Sequence, residues 1–139
     1  MVDGGSSGTT SVVSGGPQSL VLRPLLFLIY VNHVSSLTLT GGSKLTMYAD
    51  DILLYKPISC PEDYSGLQTD INAIQDCTSS SHLMLNPCKC KYLICSRKRH
   101  PHLPPTGLLL ACITLEQVES YHYLGIVVTS RLTWSDHIE

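Results

Sequence analysis

Residues 44–55 read KLTMYADDILLY, two short apolar runs on either side of a pair of aspartates. Over residues 45–49 every second residue is apolar, which is the period of a half-buried β-strand. An apolar and aromatic run at residues 52–55 follows after only two residues, Asp50 and Asp51. Two short runs separated by two residues predict a β-hairpin, and its tight turn carries two adjacent carboxylates.

Asp50 and Asp51 are the sharpest chemical feature of the sequence. Like charges at this separation repel each other, and a divalent cation relieves that repulsion. Carboxylate oxygens suit Mg²⁺, which also binds the phosphates of a substrate. Two such ions about 3.5–4 Å apart can activate an attacking hydroxyl and stabilise a leaving oxygen. The alternative interpretation is an exposed Asp-Asp turn with no bound ion.

The longest apolar stretch, residues 20–31, lies upstream of the hairpin and is interrupted by Arg23 and Pro24. Apolar residues recur there at spacings of three and four, which predicts a mostly buried helix with Pro24 in its first turn. A buried strand over residues 25–31 is the alternative, because periodicity does not separate the two in so apolar a run. Adjacent glycines at positions 41 and 42 then predict a turn.

A second helix is predicted downstream of the hairpin. Ser59 with Glu62 three residues later matches a capping box, in which each side chain bonds a free backbone N–H at the helix start. Apolar residues recur at helical spacing over residues 64–74, while Asp70 and other polar residues fall elsewhere on the helix. The pattern ends in the polar cluster at residues 78–81.

Short strands and loops are predicted for the remainder of the chain. Residues 92–95 form a strand, residues 97–105 a basic, proline-rich loop, and residues 107–115 a further apolar run. Residues 121–128 form one strand with Gly125 inside it. The order helix, hairpin, helix and several strands predicts an α+β fold.

The composition excludes several classes of protein. At 139 residues the chain has room for one modest domain, and 43% hydrophobic residues exclude disorder throughout. Charged residues make up 14%, well below the roughly 25% of ordinary domains. The net charge of −2 excludes a strongly basic, self-sufficient nucleic-acid binder. No apolar run reaches the roughly 18–20 residues that span a bilayer.

Residues 1–16 are rich in Gly, Ser and Thr and are predicted to form a flexible tail. They contain neither the basic region nor the long apolar region of a secretory signal. The six cysteines of a chain without an export signal are expected to be reduced thiols rather than a disulfide framework.

Tyr48-Ala49-Asp50-Asp51 resembles the YADD box of reverse transcriptases, and its flanks resemble those of non-LTR (LINE-type) retrotransposons. Three further segments resemble boxes of the same family and stand in the family's order. They are the SGVPQGSVLGPLLF segment at residues 14–27, the LxLNxxKT box at Leu85, Asn86 and Lys89, and the YLG…LxW…HI run at residues 121–138. The resemblance implies a reverse-transcriptase palm, an antiparallel sheet with the YADD hairpin packed by helices.

The resemblance also implies the catalytic centre. Asp50 and Asp51 would be metal ligands and catalytic residues, with Mg²⁺ or Mn²⁺ as the cofactor. Lys89 matches the lysine near the incoming triphosphate, where it would stabilise charge or donate a proton. The reaction would be attack of a primer 3′-hydroxyl on the α-phosphate of a nucleotide.

Contacts with the substrates are implied in the same way. The partners would be an RNA template and a DNA primer. Tyr48 would flank the primer terminus, and residues 123–125 match the primer-grip region. Pro17 and Gln18 would lie in the loop that contacts the template and the incoming nucleotide.

The sequence departs from the family pattern at several positions. The first metal-binding aspartate of the family lies in a strand well before the loop box, whereas Asp3 is the only acidic residue before Pro17. Ser19 and Arg23 replace glycines of the loop box, and neither adopts glycine's backbone angles as freely. We therefore expect a partial palm that is inactive alone.

The expected domain organisation follows from the matched boxes. A flexible tail at residues 1–16 precedes a partial palm at residues 17–130, and residues 131–139 begin a truncated thumb. The fingers and most of the thumb are expected to be absent, and the palm surfaces they would cover are expected to allow self-association. A repurposed palm remnant acting as a non-catalytic interaction protein is the alternative function. No membrane partner is expected, and the compartment would be the nucleus or the cytoplasm.

Two further clusters have alternative interpretations. Cys88, Cys90, Cys95, His100 and His102 resemble a zinc site in residue type, but not in the common Cys-x₂-Cys spacing, so free cysteines near a strand are the other interpretation. Five basic residues at positions 89–99 either attract a phosphate backbone or form a solvated loop.

Overall fold

The computed structural model describes residues 23–99 and 101–133, and the chain divides into two units, residues 1–32 and 33–139. The described part of the first unit holds helix α1, Arg23–Val31, with Pro24 in its first turn as predicted. The strand alternative is therefore wrong. The prediction of a mostly buried helix is wrong too, because Leu25, Leu28 and Ile29 are more than half exposed. A short 3-10 helix, Asn32–Ser36, follows.

The predicted hairpin is present. Strand β1, Lys44–Tyr48, pairs antiparallel with β2, Asp51–Tyr55, and Tyr48 faces Asp51 at the last rung. The two-residue loop is therefore Ala49 and Asp50 rather than Asp50 and Asp51. Ala49 accommodates the reversal with a left-handed backbone, φ +52°, which is uncommon for a residue with a Cβ.

Helix α2, Asp63–Ser80, is the longest element, and its start corrects the predicted capping box. Glu62 is the N-cap residue but makes no side-chain cap bond. The carboxylate of Asp63 instead accepts the backbone N–H groups of Ser59 at 2.7 Å and Cys60 at 3.0 Å. The acid one position further along therefore satisfies these donors ahead of the helix.

The end of α2 falls where the sequence predicts it. The N–H of Leu83 donates to the carbonyl of Thr78 at 2.9 Å, and the N–H of His82 donates to that of Ser79 at 3.0 Å. This is a Schellman arrangement, with His82 in the left-handed position that glycine usually occupies, φ +56°.

A small apolar core lies between α2 and the segment that follows the basic loop. Strands β4, Leu109–Leu110, and β5, Ile113–Thr114, form a tight hairpin beside α2. The predicted apolar run at residues 107–115 is therefore two strands. The buried core residues are Tyr64, Leu108, Leu110 and Leu115, and Ile58, Leu67, Ile71, Leu85, Cys90 and Tyr92 pack against them.

Polar contacts fix this segment on α2. The side-chain amide of Gln68 accepts the N–H of Leu109 at 2.8 Å and donates to its carbonyl at 2.9 Å. The hydroxyl of Tyr64 donates to the carbonyl of His102 at 2.6 Å, which holds the basic loop near the same helix. These side chains thus provide hydrogen-bond partners for the backbone N–H and carbonyl of Leu109 and for the carbonyl of His102.

The remaining strands correct two predictions. Strand β3, Lys91–Leu93, replaces the predicted strand at residues 92–95 and pairs in parallel with β6, Glu116–Val118. The single strand predicted for residues 121–128 is a hairpin of β7, Ser120–Tyr123, and β8, Ile126–Thr129. Its loop consists of two residues in left-handed conformations, Leu124 and Gly125.

The α+β class is confirmed, whereas the single antiparallel sheet is not formed. Within residues 23–99 and 101–133 the strands form four separate two-stranded sheets, of which β3–β6 is parallel. Neither α-helix in this part of the chain is long and apolar enough to cross a membrane.

Candidate functional site

The β1–β2 hairpin presents its two carboxylates at a solvent-exposed end. Asp50 lies in the loop and Asp51 on the last rung, and both are exposed. Because directly opposed residues share a face of the hairpin, Asp51 lies on the same face as Tyr48, whose side chain is 63% exposed. Oxygen donors and an aromatic ring are therefore accessible side by side.

A buried carboxylate, that of Asp70 on α2, binds the turn that leads into β1. Its Oδ1 accepts the N–H of Thr40 at 2.7 Å, and its Oδ2 accepts the hydroxyls of Thr40 at 2.7 Å and Ser43 at 2.5 Å. Thr40 and Ser43 are the ends of the predicted turn, which closes with the Ser43 N–H donating to the Thr40 carbonyl at 3.0 Å. Asp70 therefore bonds both ends of one turn.

Lys56, the first residue after β2, contacts the same turn from the other strand of the hairpin. Its Nζ donates to Oγ1 of Thr40 at 2.9 Å. Gly66 of α2 provides the space, since a Cβ there would lie 2.6 Å from that Nζ and 3.1 Å from Oγ1 of Thr40. We call Thr40, Ser43, Lys56, Gly66 and Asp70 the hairpin-base cluster.

The donors of this cluster favour the ionised form of Asp70. Burial raises the pKa of a carboxyl group, but the hydrogen bonds from Ser43 and Thr40, together with the charge of Lys56, lower the pKa of Asp70 below its ordinary value. The side chain is only 2% exposed. The sequence pattern placed Asp70 outside the apolar face of α2, and it gave no signal of this burial.

Lys89 lies in a separate turn and not in the hairpin. Its N–H donates to the carbonyl of Asn86 at 3.0 Å, and its side chain is exposed. In the part of the chain that the structure describes, the one ion pair joins Lys91 and Glu116 across the parallel sheet. The ammonium of Lys89 is therefore not paired with the carboxylates of the hairpin.

Pro17 and Gln18 lie outside the described residues, as do the predicted tail at residues 1–16 and Trp134. Of the six predicted site residues, the structure thus places Tyr48, Asp50, Asp51 and Lys89. It brings the first three together on one hairpin end.

The cysteine-rich segment does not gather into a metal site where it is described. Among the residues with assigned positions, no three His, Cys, Asp or Glu side chains form a group that could hold an ion. His100 of the possible zinc cluster lies outside that part. Burial raises the pKa of the Cys90 thiol, which disfavours the thiolate form that binds zinc. The adjacent carboxylates of the hairpin are therefore the candidate cation ligands.

A cavity of about 500 Å³ lies beside the basic loop. The N–H of Ser96 donates to the carbonyl of Ser130 at 2.9 Å and joins this loop to the end of β8. Among the described residues that line it, Glu119 is the one acid and four side chains are cationic: Arg97, Lys98, Arg99 and Arg131. The predicted basic loop thus gains a fourth cation from beyond β8, and the arrangement suits an anionic ligand.

Comparison with known proteins identifies a family. The family model described as "Reverse transcriptase (RNA-dependent DNA polymerase)" matches residues 1–128. No solved structure matches the chain.

Curated relatives come from fruit-fly mobile elements. The "RNA-directed DNA polymerase from mobile element jockey" of Drosophila melanogaster is 30% identical over 99% of this chain and 15% of its own length. Its counterpart in Drosophila funebris is 28% identical over 98% of the chain and 15% of its own length. The "Probable RNA-directed DNA polymerase from transposon X-element" of Drosophila melanogaster is 27% identical over 92% of the chain and 14% of its own length. The chain therefore spans about one seventh of these relatives.

Proposed function

The chain belongs to the reverse transcriptase family, in its non-LTR (LINE-type) retrotransposon branch, and from this we propose that it forms the palm segment of an RNA-directed DNA polymerase. The observation that carries the proposal is the β1–β2 hairpin, which presents Tyr48, Asp50 and Asp51 together at an exposed end. Catalysis is proposed for the complete polymerase, and the alternative of a non-catalytic remnant finds no support in the relatives.

Asp50 and Asp51 are the proposed ligands of Mg²⁺ or Mn²⁺. Their donor chemistry fits, because Mg²⁺ prefers oxygen ligands and is commonly held by one or two carboxylates plus substrate phosphates. The chemistry supplied at such a site is Lewis-acid stabilisation of charge on the reacting phosphate. The exposure of both residues leaves room for a nucleotide beside them. With only two carboxylates grouped, the chain alone should bind the cation weakly.

The other site residues serve the substrates in this proposal. Tyr48 offers an exposed ring beside Asp51, which suits contact with the terminal nucleotide of a DNA primer. Lys89 has an exposed side chain that pairs with no carboxylate among the residues the structure describes, and it would stabilise charge on the incoming triphosphate. Pro17 and Gln18 are proposed to contact the template through the family's loop box.

The cationic cavity supports a role in binding the backbone of the RNA template or DNA primer. Three of its cations lie on one loop, and Arg131 comes from the segment after β8. Replacing Arg97 with alanine should lower the slope of log affinity against log salt by about 0.7–0.9 for each phosphate that Arg97 neutralises. Arg97→Lys keeps the charge and should keep the slope. Equal slopes for the alanine variant and the parent in titrations of an RNA–DNA duplex would remove this surface from the proposal.

The test of catalysis uses the jockey polymerase with its matching segment replaced by this chain. We expect the chimaera to extend oligo(dT) on poly(rA) with Mg²⁺. The double variant Asp50→Asn, Asp51→Asn should lose at least about a hundredfold in rate, as expected when charge stabilisation at a reacting centre is removed. Asp76→Asn, an exposed change on α2, is the matched control and should keep the rate.

Two results would contradict the proposal. A chimaera that extends no primer, although circular dichroism shows it to be folded, would show that the segment does not serve as a palm. A double variant as active as its parent would show that the carboxylates do not take part. Binding of Mn²⁺ to the chain, followed by water-proton relaxation, should weaken in the same double variant and not in Asp76→Asn.

A further inference from the structure

The hairpin-base cluster joins the base of the β1–β2 hairpin to the middle of α2. Asp70 lies 30 residues after Thr40 and 27 after Ser43, yet its carboxylate accepts three hydrogen bonds from these two residues. Lys56 approaches from the end of β2 and bonds the same threonine hydroxyl. Both ends of the hairpin are thereby tied at one place on α2.

The hairpin needs such an anchor. Strands β1 and β2 form a sheet of their own, and no third strand is added to it among the described residues. An isolated two-stranded hairpin is marginally stable in water. One face of it carries side chains as exposed as Tyr55, at 47%, so packing on that face does not hold it. The opposite face, with Leu45, Met47, Ile52 and Leu54, is only partly buried. The hydrogen bonds at the base therefore add a specific polar connection to α2.

From these contacts we propose that Asp70 is a positioning residue, which fixes the base of the hairpin on α2 and thereby sets the location of Asp50 and Asp51. The inference rests on the proposed function in one respect, that the two exposed carboxylates bind a divalent cation. The anchoring itself is independent of that function.

A small rotation of the hairpin at its base displaces the end that carries Asp50 and Asp51. Five residues of a strand span roughly 17 Å. A rotation of about 5° at the base therefore moves the end by about 1.5 Å, and a misplacement of about 1 Å at a reacting centre can cost a hundredfold in rate. A buried, ionised carboxylate that accepts three hydrogen bonds resists such a rotation, because any broken bond leaves a charge unsatisfied away from water.

Gly66 supports the same assignment. Glycine inside a helix costs about 1 kcal/mol relative to alanine. We therefore expect a contact near Gly66 that a larger residue would prevent. Here the missing Cβ leaves the space that Lys56 and the Thr40 hydroxyl occupy. Gly66 therefore lowers the intrinsic stability of α2 at the position where the base of the hairpin contacts the helix.

The experiment measures two properties of the full chain, amide hydrogen exchange and Mn²⁺ affinity by water-proton relaxation. Asp70→Ala should speed exchange of the β1 and β2 amides by about tenfold or more. The amides of Leu110 and Leu115 in the core should keep their rates. The dissociation constant for Mn²⁺ should rise about threefold or more, below the 10–100-fold typical of residues that bond a metal ligand directly. Asp76→Ala, on the exposed side of α2, is the matched control.

Conservative variants separate positioning from mere structural support. Asp70→Asn keeps an acceptor for the Thr40 N–H and should fall between the parent and Asp70→Ala in both properties. Ser43→Ala removes one donor and should loosen the hairpin alone. If Asp70→Ala fails to fold, these two variants carry the test.

The inference is overturned if folded variants leave hairpin exchange unchanged, or if hairpin exchange rises while Mn²⁺ affinity stays the same. Uniformly faster exchange, with the core amides changing as much as the hairpin, would also overturn it. If the parent chain binds no Mn²⁺ at all, the proposed function fails separately, and the exchange rates still decide whether Asp70 anchors the hairpin.

Discussion

Asp63 shows how a single carboxylate sets the start of a helix. Its side chain accepts two backbone N–H groups ahead of α2, and these bonds, that from Ser59 first and that from Cys60 second, lower the pKa of Asp63 below its ordinary value. A carboxyl group whose pKa is lowered on folding stabilises the folded state above the unfolded pKa, about 3.9 for aspartate. That stability is lost as the pH falls through the folded pKa.

Asp63→Asn should therefore lower the melting temperature at neutral pH, because the uncharged amide is a weaker acceptor and presents an N–H₂ group to backbone donors. The difference from the parent should shrink as the pH falls below about 4, where the parent also loses its charge. Thermal melts followed by circular dichroism over this range measure it. Asp76→Asn should show no such pH-dependent difference, and a constant difference for Asp63→Asn would contradict the assignment.

The sequence identified Asp50 and Asp51 as candidate site residues, but it did not identify the hairpin-base cluster. Asp50 and Asp51 stand out because two adjacent acids between two apolar runs are unusual. Asp70 looks like any polar residue on the outer face of an amphipathic helix, and its burial depends on donors 27 and 30 residues away. Sequence periodicity contains only local spacing, so it could not reveal a contact of this range.

At the scale of elements, the three hairpins seen in residues 23–99 and 101–133 turn through two-residue loops built largely without glycine. Ala49, the pair Ala111 and Cys112, and Leu124 all have left-handed backbones. Such a conformation costs a residue with a Cβ roughly 1–2 kcal/mol. The predicted continuous strand at residues 121–128 was wrong for this reason, since Leu-Gly is not among the dipeptides that usually indicate a tight hairpin turn.

The β7–β8 loop offers a direct test of this strain. Leu124→Asn should raise stability by about 0.5–1 kcal/mol, because asparagine tolerates the left-handed region and half of the leucine side chain is already exposed. Gly125→Ala should lower it by about 1 kcal/mol. A Cβ at Gly125 would touch nothing within 4 Å, so the loss would come from the backbone alone. Urea unfolding measures both changes, and an unchanged midpoint for Gly125→Ala would contradict the φ of +80°.

At the scale of the whole molecule, the described residues expose apolar side chains on the β1–β2 hairpin. One face of the hairpin carries Tyr48, Leu53 and Tyr55, which are 63%, 37% and 47% exposed. Apolar patches of this kind promote association between molecules. The low content of charged residues, 14%, offers little to oppose it.

We expect the chain to self-associate as its concentration rises, and the variant Leu53→Lys, Tyr55→Lys should reduce the mass measured by light scattering. Met84→Lys is the control, because Met84 is 94% exposed but lies away from the hairpin in sequence. Association that persists in the double variant, or that falls equally in the control, would show that another surface is responsible.

The α+β class and the order of most elements could be predicted from the sequence, whereas the assembly of the strands could not. Alternation identified β1 and β2, and the helical repeat identified α2. The division into four two-stranded sheets depends on which strands meet, and the parallel pairing of β3 with β6 joins residues 25 apart, such as Lys91 and Glu116. No local pattern encodes a partner at that distance.

The same division of the sheets has a consequence for the order of folding. Three of the four strand pairs in the described residues connect neighbours through two-residue loops, and hairpins of that kind form in about 1–10 μs. The β3–β6 pair must instead close a long loop, which costs chain entropy before any contact compensates for it. The hairpin that carries the two carboxylates should thus be assembled early, while the strand pair beside the basic loop forms last and limits the rate at which the unit reaches its native state.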